Sequence, residues 1–305
     1  MQSVEIARLS GETIRALARR SPFRWLAAAL ADWLVIVAAY AVFLFCWTQG
    51  AWLWCSISGL AAVVIVGIWR HRLSILGHDG AHYLITQNRA LNHLLSDFFV
   101  FWPNFLYTRN YERFHRPHHQ GLSTGIDLEL QHKALNPSMW TLPLSPQDFR
   151  RRIWRSAIGG NWREAMLIME MIGPKGWRDL VGPLLWWGTA MGLLGITLGL
   201  SAALAVQVIW TLATFTSFIT VFHLRMLCEH HGTTGTYRIQ THWLARLSCF
   251  PHGEDCHLEH HRYPAVPFFR LAELRRVCLA REQGRGQPLM SMAEVFQRLA
   301  SISTD

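Results

Sequence analysis

The stretch WLVIVAAYAVFLFCWTQGAWLWCSISGLAAVVIVGIW, residues 33–69, contains no Asp, Glu, Lys or Arg in 37 positions. A second uncharged run of 42 residues extends from Val181 to Phe222. One helix needs about 20 apolar residues to cross a hydrocarbon core of about 30 Å. Each run is long enough for two spans, and we predict four transmembrane helices at about 26–47, 51–69, 183–200 and 203–223. Buried helices of a soluble protein are the poorer interpretation, because two uncharged runs of this length are hard to bury otherwise.

The overall composition agrees with a membrane protein. Hydrophobic residues make up 51% of the chain and charged residues 16%, and there are 15 Trp, a residue that collects at the boundary between lipid and water. The net charge of +9 needs no nucleic-acid partner, because basic residues flank the predicted spans. The turns at 48–50 and 198–201 carry no charge, whereas Arg15, Arg19, Arg20, Arg24, Arg70, Arg72 and Arg225 lie at the other ends of the predicted helices. The positive-inside rule then places both termini and the loop 70–180 in the cytoplasm. We expect a multi-pass protein of the inner membrane.

Histidines form three tight groups. GHDGAH contains His78 and His82, FHRPHH contains His115, His118 and His119, and HLEHH contains His257, His260 and His261. Positions i, i+3 and i+4 share one face of a helix, so each group can direct its imidazoles toward one point. All three groups fall on the predicted cytoplasmic side, which indicates a shared metal site.

The segment CEHHG at the end of the fourth predicted span offers a ninth nitrogen. We favour His230 as its source, with His231 and His223 as open alternatives. Eight or nine nitrogens are too many for one ion, since a structural zinc takes four ligands. Two ions sharing them keep open positions, and imidazole sites suit iron, copper or zinc.

Together these motifs resemble the three histidine boxes of the membrane fatty acid desaturase and hydroxylase superfamily. HxxxH at 78–82 and HxxHH at 115–119 and 257–261 match the boxes in order and spacing, over about residues 25–275. HLEHHRYPAVP is similar to the third box with its trailing prolines, and CEHHG is similar to a motif of alkane hydroxylases in the superfamily.

The resemblance implies an all-α integral membrane enzyme. It would have four transmembrane helices in two hairpins and a cytoplasmic helical cap that carries a histidine-rich di-metal site. The cofactor would be two non-haem iron ions, and the activity O2-dependent desaturation of a fatty acyl chain. The ligands carried over by position are His78, His82, His115, His118, His119, His230, His257, His260 and His261.

We treat the chain as one desaturase-like domain over residues 1–305. It comprises a basic interfacial helix (1–24), a first hairpin (25–69), an insert with boxes one and two (70–180), a second hairpin (181–224) and a cap with box three (225–305). Within the insert, 90–107 is too broken for a fifth span, and 149–173 reads as a helix with a Gly-Gly break. Amphipathic helices are predicted at 267–282 and 290–302.

Several details are expectations for the site. Asp79, Glu229, Asp255 and Glu259 are candidates to hold the second imidazole nitrogens, as metal-bound histidines require, although each is equally an ordinary solvated acid. Pro117 predicts a helix start or kink at Arg116. Trp102, Phe105, Trp186 and Trp187 are tunnel candidates or boundary anchors. His71, His93, His132, His242 and His252 receive no role and are expected at the surface or interface, so His132→Ala should be nearly silent.

Three functions remain open. The first is an acyl desaturase that takes electrons from an external donor such as ferredoxin or cytochrome b5, because an HPGG haem-binding motif is not seen. The second is a lipid or carotenoid hydroxylase or ketolase of the same superfamily, which box spacing does not separate from the first. The third is a histidine-rich metal transporter or sensor, which should carry polar residues along its spans.

Overall fold

The structure is a computed structural model that describes residues 9–302. Sixteen α-helices and two three-residue strands follow one another in this range. The helices are α1 Gly11–Leu17, α2 Pro22–Thr48, α3 Trp52–Ala81, α4 Arg89–Ser96, α5 Thr108–Gln120, α6 Leu128–Ala134, α7 Pro137–Trp140, α8 Pro146–Ala157, α9 Trp162–Ile172, α10 Val181–Leu198, α11 Leu200–Ala213, α12 Ile219–Glu229, α13 Trp243–Ser248, α14 His257–Arg262, α15 Phe268–Glu282 and α16 Met292–Ala300; the strands are β1 Arg238–Gln240 and β2 Leu289–Ser291.

Four helical segments are long and apolar enough to cross a membrane. They are Pro22–Thr48, Trp52–Ala81, Trp177–Leu198 and Leu200–Glu229, the last of which joins α11 to α12 through a π-helical turn. Large apolar side chains point outward from them, including Leu34 at 68% exposure and Ile196 at 87%. Such surfaces are unfavourable in water and fit insertion into lipid. The predicted number of spans is confirmed.

Helices α2 and α3 pack antiparallel to each other. Phe43 near the end of α2 packs against Gly59, whereas Trp25 near its start donates its indole N–H to the Leu76 carbonyl at 3.0 Å. Between these contacts, buried Asp32 accepts from Arg72 at 2.7 Å, and its other oxygen lies 2.6 Å from His252 Nε2. Asp32 therefore anchors the loop before box three to the helix pair.

Helix α3 continues twelve residues beyond its predicted end and carries the first histidine box. Arg70 does not end it, because the guanidinium is buried and donates to the Trp210 carbonyl at 2.8 Å and to Asn104 Oδ1 at 3.2 Å. Gly67 permits the close approach that this requires, since a Cβ there would lie 1.9 Å from Ser217 Oγ. His78 therefore lies near the end of the same continuous helix as the second predicted span.

The segment 90–107 breaks as expected into α4, a π-helical turn at Asp97–Phe101 and a 3₁₀ turn at Trp102–Asn104. Asp97 accepts from the Thr108 backbone N–H at 2.7 Å and so caps α5. The kink predicted at Arg116 is wrong, because α5 runs unbroken through Pro117. Proline costs this helix one hydrogen bond, and α5 ends three residues later, so the loss is confined to its last turn.

The two strands lie beside α12, α14 and α16. β1 and β2 pair in parallel, and α15 and α16 follow closely the two helices predicted near the C-terminus. The break predicted in 149–173 lies between α8 and α9, where Gly159 has φ +82. All six cysteines are free.

The predicted N-terminal helix over 1–24 is not one helix. Its first eight residues lie outside the described range, and α1 covers only Gly11–Leu17. Leu9 and Leu17 pack with Leu271 and Leu274 of α15. Ser21 then caps α2, whose first residue is Pro22. The described part of this segment before α2 therefore packs against α15.

Candidate metal centre

Nine imidazoles converge in two groups. In each group, one ring nitrogen per residue lies within 4.8 Å of the corresponding atoms of all the others. The first group has five members and the second has four: His78, His82, His115, His119 and His260 form the first, and His118, His230, His257 and His261 form the second. The two groups adjoin, since the rings of His119 and His261 stack with centroids 4.2 Å apart.

Four helices deliver these side chains from distant parts of the sequence. His78 lies at the end of α3 and His82 directly after it, and α5 contributes His115 and His119 to one group and His118 to the other. His230 follows α12, while α14 likewise divides its histidines between the groups. The i, i+3, i+4 spacing therefore serves two adjacent points and not one, because residues three apart differ in direction by about 60°.

Acidic side chains hydrogen-bond to the outer nitrogens of two of these rings and lie close to that of a third. Glu129 Oε1 lies 2.8 Å from His115 Nδ1, and Asp127 Oδ1 lies 3.0 Å from His118 Nδ1. Glu254 Oε1 lies 3.1 Å from His257 Nδ1. A carboxylate at Nδ1 favours the tautomer with its N–H there and leaves the Nε2 lone pair directed inward.

The inward nitrogens stand too close together to be explained by hydrogen bonds alone. His230 Nε2 lies 3.1 Å from His118 Nε2 and 2.8 Å from His257 Nε2, although both partners have Nδ1 facing a carboxylate. One N–H on His230 satisfies only one of them, so lone pairs face each other. A cation among the nitrogens removes this repulsion, and neutral imidazole donors suit iron, copper or zinc.

The protonation of the first group agrees with metal binding. Burial lowers the pKa of His82 to about 4, and burial followed by repulsion from His82 lowers the pKa of His119 to about 2. Burial and the nearby imidazoles lower the pKa of His260 well below its ordinary value. These rings are neutral near pH 7, which is the form that binds a metal.

The sequence model of the fatty acid desaturase family matches residues 56–292, which include all nine converging histidines. The chain belongs to the fatty acid desaturase family. The predicted resemblance is confirmed at this level.

A curated relative of this desaturase-family chain is dihydrorhizobitoxine desaturase of Bradyrhizobium elkanii. The two are 23% identical over 239 residues, which cover 71% of this chain and 66% of the relative. The aligned part thus spans slightly less than two thirds of the relative's length.

Among the alternatives for the ninth nitrogen, the structure places His230 in the second group. His231 and His223 lie away from both groups, with their rings against Trp140 at centroid distances of 5.6 and 4.9 Å. His223 Nδ1 lies 3.2 Å from Ser156 Oγ.

The acids expected to hold the second imidazole nitrogens mostly do something else. Asp79 accepts from the Phe268 N–H at 3.1 Å, and Glu259 and Asp255 are engaged with arginines. Glu229 pairs with Arg225 at 2.7 Å and is 3.9 Å from His257 Nδ1. The acids that do contact the rings, Asp127, Glu129 and Glu254, were missed, although they stand in GIDLEL after box two and HGEDC before box three.

The histidines left without a role are less exposed than expected. His71 is fully buried, with Nε2 3.1 Å from the Cys249 carbonyl. His132 is buried and lies 2.6 Å from Glu164. Only His242 is exposed, whereas His93 is intermediate and His252 contacts Asp32. The surface placement was wrong for His71 and His132, because both are enclosed by helices far away in sequence.

An internal cavity extends from the converging histidines into apolar surroundings. His78, His115 and His257 line one part of it, and Arg225, Glu229, Glu254 and Glu129 adjoin them. Apolar side chains line most of the rest: Phe101, Leu106, Phe114, Ile168, Met171, Ile172, Phe218, Phe222 and Met226.

The aromatic residues predicted as tunnel candidates do not line this cavity. Trp102 and Trp186 border a separate outer groove together with Trp33, and Trp187 donates its indole N–H to the Pro103 carbonyl at 3.1 Å. Much of the lining comes instead from α5, α9, the π-helical turns and α12. These elements are far apart in the sequence, and tertiary packing brings them together.

Proposed function

We propose that this protein is a membrane-bound, O2-dependent desaturase that introduces a C=C bond into an acyl chain. The observation that carries the proposal is the meeting of two groups of imidazole nitrogens with an apolar cavity. Membership of the fatty acid desaturase family and the four apolar helices support it. A site beside lipid can receive an apolar substrate directly, without exposing it to water.

The nine histidines of the two groups would hold two iron ions, the cofactor typical of the family. Bound there, iron would supply O2 activation and the oxidising power needed to remove hydrogen from an unactivated C–H bond. Five nitrogens in one group and four in the other supply enough neutral donors for two ions. The outer carboxylates orient the rings and raise their basicity.

The chain itself would position the substrate and exclude water. Phe101, Phe114 and Phe222 form apolar walls that would hold an acyl chain with one carbon segment beside His78, His115 and His257. The net change removes two hydrogens from the substrate and reduces O2 to two waters, with two electrons and two protons from outside. An external donor such as ferredoxin or cytochrome b5 would supply the electrons.

Oxygen insertion is the alternative outcome, as in a lipid or carotenoid hydroxylase or ketolase. The same residues would serve both reactions, and the result depends on how near a second C–H bond lies to the oxidant. The name of the curated relative describes a desaturation, which favours loss of two hydrogens here.

The test compares lipids and other apolar metabolites from cells that express the wild-type protein, the His260→Ala variant or no protein. We expect products that have lost two hydrogens with the wild type only, and near-complete loss of both product and bound iron in the variant. Products that have gained oxygen identify a hydroxylase. Full product formation by His260→Ala, with the protein still in the membrane, contradicts the ligand assignment. Bound metal that exchanges freely and no reductant-dependent O2 consumption point to a transporter or sensor.

A further inference from the structure

A surface groove between α4 and α5 gathers four exposed arginines. Arg89 begins α4, and Arg109, Arg113 and Arg116 follow one another along α5. Tyr83 and Glu112 also line the groove. We call it the basic groove.

The spacing on α5 concentrates positive charge on one face. Positions 109, 113 and 116 are separated by four and three residues, so the three guanidinium groups lie on successive turns of one side. Like charges at this spacing destabilise a helix, and fold stability therefore does not explain the pattern.

Little negative charge offsets these arginines. Glu112 accepts from Tyr83 Oη at 2.7 Å and from Arg116 Nη2 at 2.5 Å, so its carboxylate is already engaged. Within residues 9–302, Arg89, Arg109 and Arg113 form no ion pair. The basic groove thus presents at least three uncompensated positive charges to a partner.

The position of the groove relative to the histidines is the second observation. The outer face of α5 carries the arginines, whereas its inner face carries His115, His118 and His119. An α-helix with side chains is about 10–12 Å across. A molecule seated in the basic groove is therefore about one helix diameter from the candidate metal centre.

The features of the groove favour a protein over a lipid surface. A basic helix that lies on a membrane inserts its apolar opposite face into the lipid. The opposite face of α5 is occupied by buried histidines and by cavity-lining Tyr111 and Phe114. A concave surface with one acid among arginines also matches a patterned acidic protein surface better than uniform headgroups.

From these observations we propose that the basic groove docks an acidic electron-transfer protein, an iron–sulfur or haem protein with surface carboxylates. Such a partner delivers the two electrons that each turnover consumes, so the inference rests on the proposed function. Charge complementarity would raise the association rate and make it depend on salt.

The test uses full-length protein in phosphatidylcholine nanodiscs and two acidic probes, a plant-type [2Fe–2S] ferredoxin and a soluble cytochrome b5. We compare wild type, Arg109→Glu/Arg113→Glu and Arg109→Lys/Arg113→Lys. Arg276→Glu/Arg281→Glu is the matched control, because it reverses two exposed charges on α15 outside the groove. Kd is measured as a function of ionic strength.

We expect wild type to bind at least one probe with an affinity that falls as salt rises. The double reversal on α5 should weaken that binding about 10-fold or more at low salt, since close charges across an interface are strongly coupled. The lysine pair and the α15 control should stay close to wild type. Unchanged binding after the α5 reversal, equal weakening by the α15 reversal, or no binding of either probe to wild type overturns the proposal.

Two further arms separate the alternatives. The first arm measures binding to phosphatidylglycerol vesicles. If the α5 reversal weakens vesicle binding relative to wild type but leaves probe binding unchanged, the groove binds lipid headgroups and the proposal is overturned. In a single turnover, the protein is reduced chemically without oxygen, freed of reductant and then given O2. Equal product from wild type and the α5 reversal supports a docking role. No product from wild type shows that the proposed function has failed, and the Kd comparison still decides the groove.

Discussion

At the scale of single residues, the carboxylates behind the imidazoles were the hardest part of the site to predict. Histidine spacing indicated the ligand candidates directly, because residues on one helix share a face. The acids lie on other elements or on the turn before a helix. Their contacts with the imidazoles therefore depend on how the chain folds back toward the histidine helices. Asp127 shows this well, since it also accepts from the Glu129 N–H at 2.9 Å as the N-cap of α6.

Glu129 should be a positioning residue shared by both groups. Its Oε1 lies 2.8 Å from His115 Nδ1, and its Oε2 is 3.8 Å from His118 Nε2. We expect Glu129→Gln to lower metal affinity or activity about 10–100-fold, because outer partners of metal ligands have effects of this size. The effect is measured as metal content, by mass spectrometry, and as turnover rate. Leu130→Gln, at an exposed position of the same helix, is the control. Wild-type metal content and activity in Glu129→Gln are incompatible with this role.

For His132 the structure leads us to expect a less stable variant, where the sequence led us to expect a nearly silent substitution. Its Nε2 lies 2.6 Å from Glu164, a fully buried carboxylate that also accepts from Asn136 at 2.7 Å. Removing a partner from a buried polar group costs about 1–3 kcal/mol. His132→Ala should therefore lower the thermal unfolding midpoint in detergent, whereas His242→Ala at an exposed position should not. Equal midpoints for the two variants restore the original expectation.

At the scale of elements, the uncharged runs predicted the spans because lipid imposes one simple requirement on composition. The ends of the helices were less predictable. Arg70 resembled an exit from the membrane, yet Trp210 and Asn104 satisfy it inside the helix bundle and α3 continues to the first box. Such long-range partners leave no local sequence signal. The small strand pair β1–β2, with only three residues per strand, was missed for the same reason.

Box three is held in place by a buried ion network centred on Arg238 of β1. The guanidinium pairs with Glu259 of α14 at 2.7 Å and with Glu282 of α15 at 2.5 Å, and Arg238 is 1% exposed. Glu259 lies directly before His260, so the network fixes the helix that carries three proposed ligands, one in the first group and two in the second.

We expect Arg238→Met to destabilise the protein by up to about 3–5 kcal/mol, the usual cost of breaking a buried pair, because Glu259 and Glu282 each lose one of their two arginine partners. Iron content should fall with it. The control is Arg246→Met, whose side chain is 60% exposed beside Asp255 and whose ion pair is worth less than about 1 kcal/mol. Thermal unfolding and metal analysis are measured on both variants. Equally small losses of stability and iron in the two variants argue against a structural role for the network.

At the scale of the whole molecule, the meeting of the histidines constrains how the chain crosses the membrane. His78 at the end of α3 and His230 directly after α12 are brought to adjoining groups, so these two helix ends lie on the same side. The turns around Gln49 and Gly199 then lie at the opposite ends of the four apolar helices. Basic residues flank the helix ends that carry the histidines, whereas the turns at the opposite ends carry no charge. By the positive-inside rule, this distribution favours an outward location for the turns.

This arrangement gives a direct test of the proposed orientation in a bacterial inner membrane. Of the six cysteines, five are buried and Cys46 is half-buried, so Cys46→Ser supplies a background with little native labelling. Cysteines placed at exposed Gln49 and Ser201 should react with a membrane-impermeant maleimide added to intact spheroplasts. Cysteines at exposed Gln120 and Gln283 should react only after permeabilisation, because α5 and the end of α15 belong to the proposed cytoplasmic cap. If only the cysteines at Gln120 and Gln283 are labelled in intact spheroplasts, the proposed metal centre lies outside, where cytoplasmic electron donors do not reach it. A mixed pattern would place the histidine groups on different sides of the membrane, although the chemistry requires them together.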